Sequence, residues 1–168
     1  AGGLTVQTAC ADATAFDLGC EVALAIVPMQ TVQILGGPAA RAAFLERARA
    51  HLGERGHLAM AIADTREALT DEVATPPLPD LREIDGVVYA SRPVAVVDEG
   101  DVVCIQRLRE IVDARGERTV AYDEVRLDVV EPEDLEAQGE AAGFRVLPRL
   151  EVPENDEYLG ATVVMLGG

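Results

Sequence analysis

The chain has no lysine, and all 14 of its basic residues are arginine. Without a side-chain primary amine it cannot form a Schiff base, hold pyridoxal phosphate by the usual linkage, or complete a Walker phosphate loop. Tryptophan is absent too, and aromatic residues make up only 4% of the chain. The three cysteines, Cys10, Cys20 and Cys104, are odd in number and widely spaced. They make neither a disulfide framework nor a paired zinc knuckle, and read as buried thiols in a reducing cytoplasm. The two histidines, His51 and His57, read as a helix-end and a strand-edge residue, too few for a metal-ligand set. Long apolar runs are also missing. The longest, Val22 to Met29, has eight residues, against the roughly 20 of a membrane helix, and no basic leader precedes it. A soluble protein is expected.

What is abundant is acid. Thirty Asp and Glu give a net charge of −16, which repels phosphate backbones and anionic membrane faces. The arginines are scattered, so nucleic acid is excluded as a partner and a small molecule is favoured. With 168 residues, 49% of them apolar, the chain suits one globular domain with a substantial core.

The order of segments is that of an α/β protein. Leu4 to Ala9 predicts a short strand, and Val22 to Val27 a buried one, continuous in apolar residues as parallel strands are. Gly36-Gly37-Pro38 opens a helix in which Phe44, Leu45, Ala48 and Leu52 recur at helical spacing, with Arg41, Arg47 and Arg49 among its polar positions. His57 to Ala63 predicts the next strand. From Asp64 to Asp85, acids and prolines predict an extended connector that could act as a lid. Val87 to Val97, Val102 to Val112 and Thr119 to Val130 follow as strands joined by short Gly-bearing turns, the pattern of antiparallel hairpins. A helix from Glu131 to about Gly143, and strands Phe144 to Val152 and Ala161 to Leu166, close the chain.

Four stretches in this order resemble the C-terminal portion of a class I S-adenosylmethionine-dependent methyltransferase of the small-molecule type. They are Ala11-Asp12-Ala13 with Phe16; Val22 through Val27-Pro28-Met29-Gln30; Ala39 to Leu52 with Gly53 to Leu58; and Glu133-Asp134-Leu135 through Ala142-Gly143-Phe144. The resemblance implies a partial Rossmann-like sheet with inserted antiparallel hairpins. It divides one domain, 1–168, into a cofactor-side α/β segment (1–63), a connector with hairpins (64–130) and a closing helix with strands (131–168).

In such enzymes the acid after the third strand accepts a hydrogen bond from the adenine amino group. By resemblance Asp12 takes this role, with the Ala13 amide near the ring and Phe16 on the adenine face; read from the residues alone, Asp12 better suits a turn that bonds its own backbone. Val27, Pro28 and Met29 would face the methionine part of S-adenosylmethionine, with Pro28 leaving carbonyls free for its ammonium. Gln30, Tyr89 and Arg92 would contribute to the acceptor pocket, although a core-filling Met29 and a short helix starting at Thr31 are the plainer readings of that turn. The sulfonium methyl is already activated, so the protein needs alignment and a dry site more than an acid or base, and no catalytic dyad is assigned. One departure is decisive. The family's acidic, glycine-rich loop has no counterpart, since only eleven residues precede Asp12 and no Gly-x-Gly-x-Gly occurs. The expectation is an incomplete enzyme that by itself binds cofactor poorly or not at all. The alternative is a non-catalytic module that binds a partner or forms a homodimer through an unpaired sheet edge.

Overall fold

The computed structural model describes residues 6–64, 66, 79–155 and 160–168. Two four-stranded sheets carry the architecture. The first combines β1 (Val22–Val27), β2 (Leu52–Ile62), β7 (Arg145–Val152) and β8 (Ala161–Gly167) in the order β1-β2-β8-β7. The second holds β3 (Asp80–Ile84), β4 (Val87–Asp98), β5 (Val102–Val112) and β6 (Arg118–Asp128) in sequential order. β1 and β2 are parallel, and every other pairing is antiparallel.

The parallel pair needs a crossover, supplied by a short 3-10 turn (Thr31–Ile34) and helix α1 (Pro38–Ala50). Gly36 and Gly37 have φ of 88° and 103°, which only glycine adopts cheaply, and Pro38 starts the helix with its fixed φ. Helix α2 (Pro132–Ala141) begins with Pro132 and the acids Glu133 and Asp134, and its C-terminal chain turns through Gly143 at φ 86°. Both helices pack on the same face of the first sheet. Phe44, Leu45 and Ala48 of α1 and Leu135 of α2 meet Val27, Leu58, Met60, Ile62, Val164 and Leu166 in one buried cluster. The other face, bearing Leu24 and Ile26 by strand alternation, is exposed at both residues.

The second sheet is a meander of hairpins, as the Gly-bearing turns predict. Asp85-Gly86, with φ of 53° and 77°, closes the two-residue β3–β4 connection in the geometry that matches strand twist. Interior strand β4 accommodates Pro93 because its register slips between Pro93 and Ala95, forming a bulge that spares a ladder bond.

Several expectations need correction. Residues 6–10 are irregular rather than a strand, and residues 1–5 lie outside the described part. The predicted connector contains β3, which the polar sequence Asp80-Leu81-Arg82-Glu83-Ile84 disguised: all five residues are exposed, so no buried face imposed an apolar pattern. Its stretch 67–78 lies outside the described residues. Cys104 is buried, but Cys10 and Cys20 are exposed. His57 sits on β2 between β1 and β8, not at a strand edge. Arg41 belongs to the interior.

That arginine joins the two sheets. Its side chain is 5% exposed and forms an ion pair with Asp128, at the end of β6 and itself 14% exposed, while its Nε donates to Gln138 Oε1 on α2 at 3.2 Å. Asp128 Oδ2 also accepts from the Gly37 amide at 2.7 Å. Buried Gln33 completes the junction, donating to the carbonyls of Asp128 (3.0 Å) and Ala63 (3.2 Å) and accepting from the Ala63 amide (3.1 Å).

Asp128→Leu leaves a buried guanidinium unpaired and is expected to cost about 3–5 kcal/mol in urea unfolding, whereas the Arg41→Met/Asp128→Leu pair costs less than the single change. Gly139→Ala is expected to destabilise by about 1–2 kcal/mol despite alanine's higher helix propensity. A Cβ there would stand 2.5 Å from Leu166 Cδ1, so this fully buried side chain must shift.

Candidate active site

In open α/β sheets, ligands collect beyond the carboxyl ends of the parallel strands. Beyond β1, Pro28-Met29-Gln30 turns sharply, with Met29 and Gln30 consecutively left-handed at φ 54° and 58°. Non-glycine residues pay of order 1–3 kcal/mol each for such backbone, and they concentrate at functional sites. The turn is held by Thr31, whose amide and hydroxyl both donate to the Pro28 carbonyl at 3.2 and 2.6 Å, and by the Gln33 amide donating to the Gln30 carbonyl at 2.8 Å. The Pro28 carbonyl is therefore not free for an ammonium group, contrary to the expectation, because the 3-10 turn that starts at Thr31 consumes it. Met29 projects outward, 83% exposed, and Gln30 is half-buried.

The Asp12 loop is fastened along α1. Phe16 packs on His51 with ring centroids 4.9 Å apart and on Phe44 at 6.3 Å, and its carbonyl accepts from Arg47 Nε at 2.7 Å. His51 is buried at the end of α1. Its Nδ1 faces the Arg47 carbonyl at 2.8 Å and its Nε2 faces the Leu18 amide at 2.9 Å. Asp17 Oδ1 also lies 3.2 Å from Nε2, so while the Arg47 carbonyl accepts from Nδ1–H, Nε2 stands between a donor and an acceptor. His51 thus anchors the loop and has no spare nitrogen for acid-base work. Asp12 Oδ1 accepts from the Thr14 amide and hydroxyl at 2.8 and 2.7 Å, bonds that hold its carboxyl below the usual aspartate range. This is the self-bonded turn that the residues alone suggested. It leaves Oδ2 without a hydrogen bond among the described residues and available to a donor such as an exocyclic amine.

A cavity of about 560 Å³ opens beyond the carboxyl end of β2, within the usual size range of small-molecule sites. Gln33, Ile62 and Ala63 lie at its base, and the β6–α2 link, the end of β7 and the start of β8 form its walls. Among the described residues, Asp64, Glu131, Glu151 and Glu154 line it against one cation, Arg66. Arg66 bonds Asp64 through Nε and Nη2 at 2.9 and 2.8 Å and reaches Glu131 at 3.4 Å. The hydrogen bond from Arg66 holds the Asp64 carboxyl below its ordinary value. Among the described residues, no cluster of His, Cys, Asp and Glu could hold a metal ion, and no helix is long and apolar enough to cross a membrane.

Ala13, Phe16 and Val27 all contact the same apolar cluster. None of the nine predicted site residues lines the cavity. Tyr89 and Arg92, at odd and even positions of β4, project from opposite faces of the second sheet, so one face cannot present both. The cavity went unread because it is assembled from five separated segments, none with a local motif. Gln33 left one clue: a lone amide within the otherwise apolar Val32–Leu35 stretch.

No protein-family profile and no curated protein matches the sequence. Solved structures do. An S-adenosylmethionine-dependent methyltransferase from Clostridium acetobutylicum superposes with a TM-score of 0.69 at 14% identity, covering 98% of this chain and 65% of that one. The chain carries the class I methyltransferase fold. CalS10, an amino pentose methyltransferase from Micromonospora echinaspora, gives 0.62 at 22% identity over 92% of this chain and 62% of its own. The sugar N-methyltransferase KedS8 from Streptoalloteichus gives 0.66 at 23% over 92% and 60%. This chain therefore spans less than two thirds of the length of these methyltransferases.

The lowered Asp64 pKa has a measurable consequence. Its ion pair contributes stability that is fully present above the unfolded aspartate value and is lost as pH falls through the depressed folded value. An NMR titration is expected to place the Asp64 midpoint below 3.8, and Arg66→Gln to move it upward.

Proposed function

We propose that this chain is the acceptor-side portion of an S-adenosylmethionine-dependent methyltransferase acting on a small molecule. The observation that carries the reading is a methyltransferase fold whose two parallel strands end beside a strained turn, Met29-Gln30, and an acid-lined cavity. The exposed face of the first sheet at Leu24 and Ile26, with no described helix over it, supports an incomplete enzyme, since doubly wound sheets are covered on both faces.

The residues present fit the adenine end of the cofactor. Asp12 Oδ2 is open to accept from an amino group, and Phe16 is held in place by His51 and Arg47. Among the described residues no glycine-rich loop serves the cofactor's ribose and amino-acid end. When bound, the cofactor supplies a methyl group on an already activated sulfonium. The chain's own part is to hold the acceptor in line and limit water. The four cavity carboxylates favour an acceptor that carries an amine; the amine must be neutral to attack the methyl group, and a carboxylate beside it would take up the proton that it sheds. Of Tyr89 and Arg92, which project from opposite faces of the second sheet, only one could face the acceptor. The free, exposed Cys10 and Cys20 suit a reducing cytoplasm. The rival reading is a non-catalytic binding module, favoured by the exposed apolar face at Leu24 and Ile26.

Calorimetry with S-adenosylhomocysteine tests this, using the full gene product and this chain in parallel. Saturable binding by the full product, weakened about tenfold by Asp12→Ala through loss of one hydrogen bond, is the expected result. Absence of binding by the full product overturns the methyltransferase reading in favour of the binding module.

A further inference from the structure

His51, a buried ring at the C-terminal cap of α1, has two neighbours at Nε2 that it cannot satisfy together. The Leu18 amide donates toward this nitrogen from 2.9 Å, and Asp17 Oδ1, one residue earlier in the same loop, lies 3.2 Å from it. An amide needs a lone pair, and a carboxylate needs a proton. With its Nδ1 proton facing the Arg47 carbonyl at 2.8 Å, the neutral ring presents Nε2 as a lone pair. Leu18 is then bonded, and Asp17 meets another acceptor. The protonated ring carries hydrogen on both nitrogens. Asp17 is then bonded, and Leu18 meets another donor. The Arg47 contact is the same in both states, so the ring keeps its orientation while its other partner changes.

Neither state strands a polar group away from water. Leu18 is 46% exposed and the Asp17 side chain 74%, so the partner set aside has solvent within reach. The surroundings also suit a charged ring. Asp17 faces it from the loop, and Arg47, on its own helix, reaches the same carboxylate with Nη2 3.9 Å from Oδ2. Phe16 packs on it with centroids 4.9 Å apart, close enough for attraction between an imidazolium and an aromatic ring. The carbonyl end of a helix favours a cation. β1 meets His51 through the backbone, the Val22 amide donating to the His51 carbonyl at 2.8 Å. The Gly19 amide first, and the His51 ring second, hold the Asp17 carboxyl below the usual aspartate range. Asp17 is therefore ionised wherever a histidine ordinarily changes charge.

We propose that loop 12–20 is a proton-controlled element, in which one proton on His51 Nε2 exchanges the loop's anchor on α1 from the Leu18 amide to the Asp17 carboxylate. Acid releases Leu18 and draws Asp17 onto the helix end, and base reverses the exchange. Phe16 stays on the ring in both states, so the change falls between it and Val22, where β1 begins. The loop also carries Asp12, but the exchange goes beyond the cofactor reading and does not need it, since it belongs to the protein free of any ligand.

NMR on the full gene product, isotope-labelled at histidine and leucine and free of cofactor, tests it. At high pH the His51 ring is expected as the tautomer protonated on Nδ1, with the Leu18 amide protected from hydrogen exchange. As pH falls, the Leu18 resonance is expected to move with the same midpoint as protonation of the His51 ring, and its protection to be lost. His57, exposed on β2, is the internal control, because its own titration leaves Leu18 unmoved. Asp17→Ala removes an exposed carboxylate without disturbing the core, and is expected to shift the exchange to lower pH by about half a unit, the scale of an exposed ion pair. A Leu18 amide indifferent to protonation of the ring overturns the proposal. So does a ring that stays neutral until the protein unfolds, or an exchange that Asp17→Ala leaves in place. None of these outcomes depends on S-adenosylhomocysteine, so the exchange and the methyltransferase reading stand or fall separately.

Discussion

The carboxylate of Asp128 is the point on which the two sheets depend. It receives the guanidinium of Arg41 and the amide of Gly37, and its own backbone carbonyl receives Gln33. One residue thereby ties the exit of β6 to the start of α1 and, through Gln33 and Ala63, to the exit of β2. A buried pair of this kind adds little net stability over an apolar replacement, because desolvation offsets most of the attraction. What it adds is geometry, since a charge buried out of register has no compensating partner. The hairpin sheet has its own hydrogen-bonded ladders but little shared core with the first sheet, so a directional contact suits the junction better than a non-directional one.

The candidate site inherits its shape from that junction. Gln33 forms part of the cavity floor, and the β6–α2 link forms one wall, so both the base and a side are set by the contacts around Asp128. The strained Met29-Gln30 turn leads directly into the 3-10 turn that carries Gln33. Strain at the turn and satisfaction of the buried amide are thus consecutive in the chain. Loop 12–20 is held separately, by Phe16, Arg47 and His51 at the other end of α1. The same helix therefore supports both parts of the proposed cofactor face, one at its entry and one along its last turns.

The two sheets also differ in what they leave uncovered. The first exposes an apolar face at Leu24 and Ile26, which calls for further packed structure, and the second leaves the outer edge of β6 without a partner strand among the described residues. Hydrophobic burial satisfies the first need without regard to register.

The strand over Val22–Val27, the crossover helix opened by Gly36-Gly37-Pro38, the three long hairpin strands and the closing helix were all legible in the chain. Each rests on a local cause: an apolar run, a positive-φ glycine, a proline at a helix start, or a short turn. β3 was not legible, because an exposed strand has no buried face to impose alternation, although Asp85-Gly86 carried the turn that builds it. Asp12, Ala13, Phe16 and the turn beyond β1 could be picked out by their order along the chain. Their partners could not: Arg41 reads as a surface arginine until Asp128, 87 residues later, is brought against it. The sequence by itself determined the elements, because their causes lie within a few residues. Tertiary structure alone decided the interior arginine, the fate of the Pro28 carbonyl and the cavity, because each depends on which distant groups share a low-dielectric space.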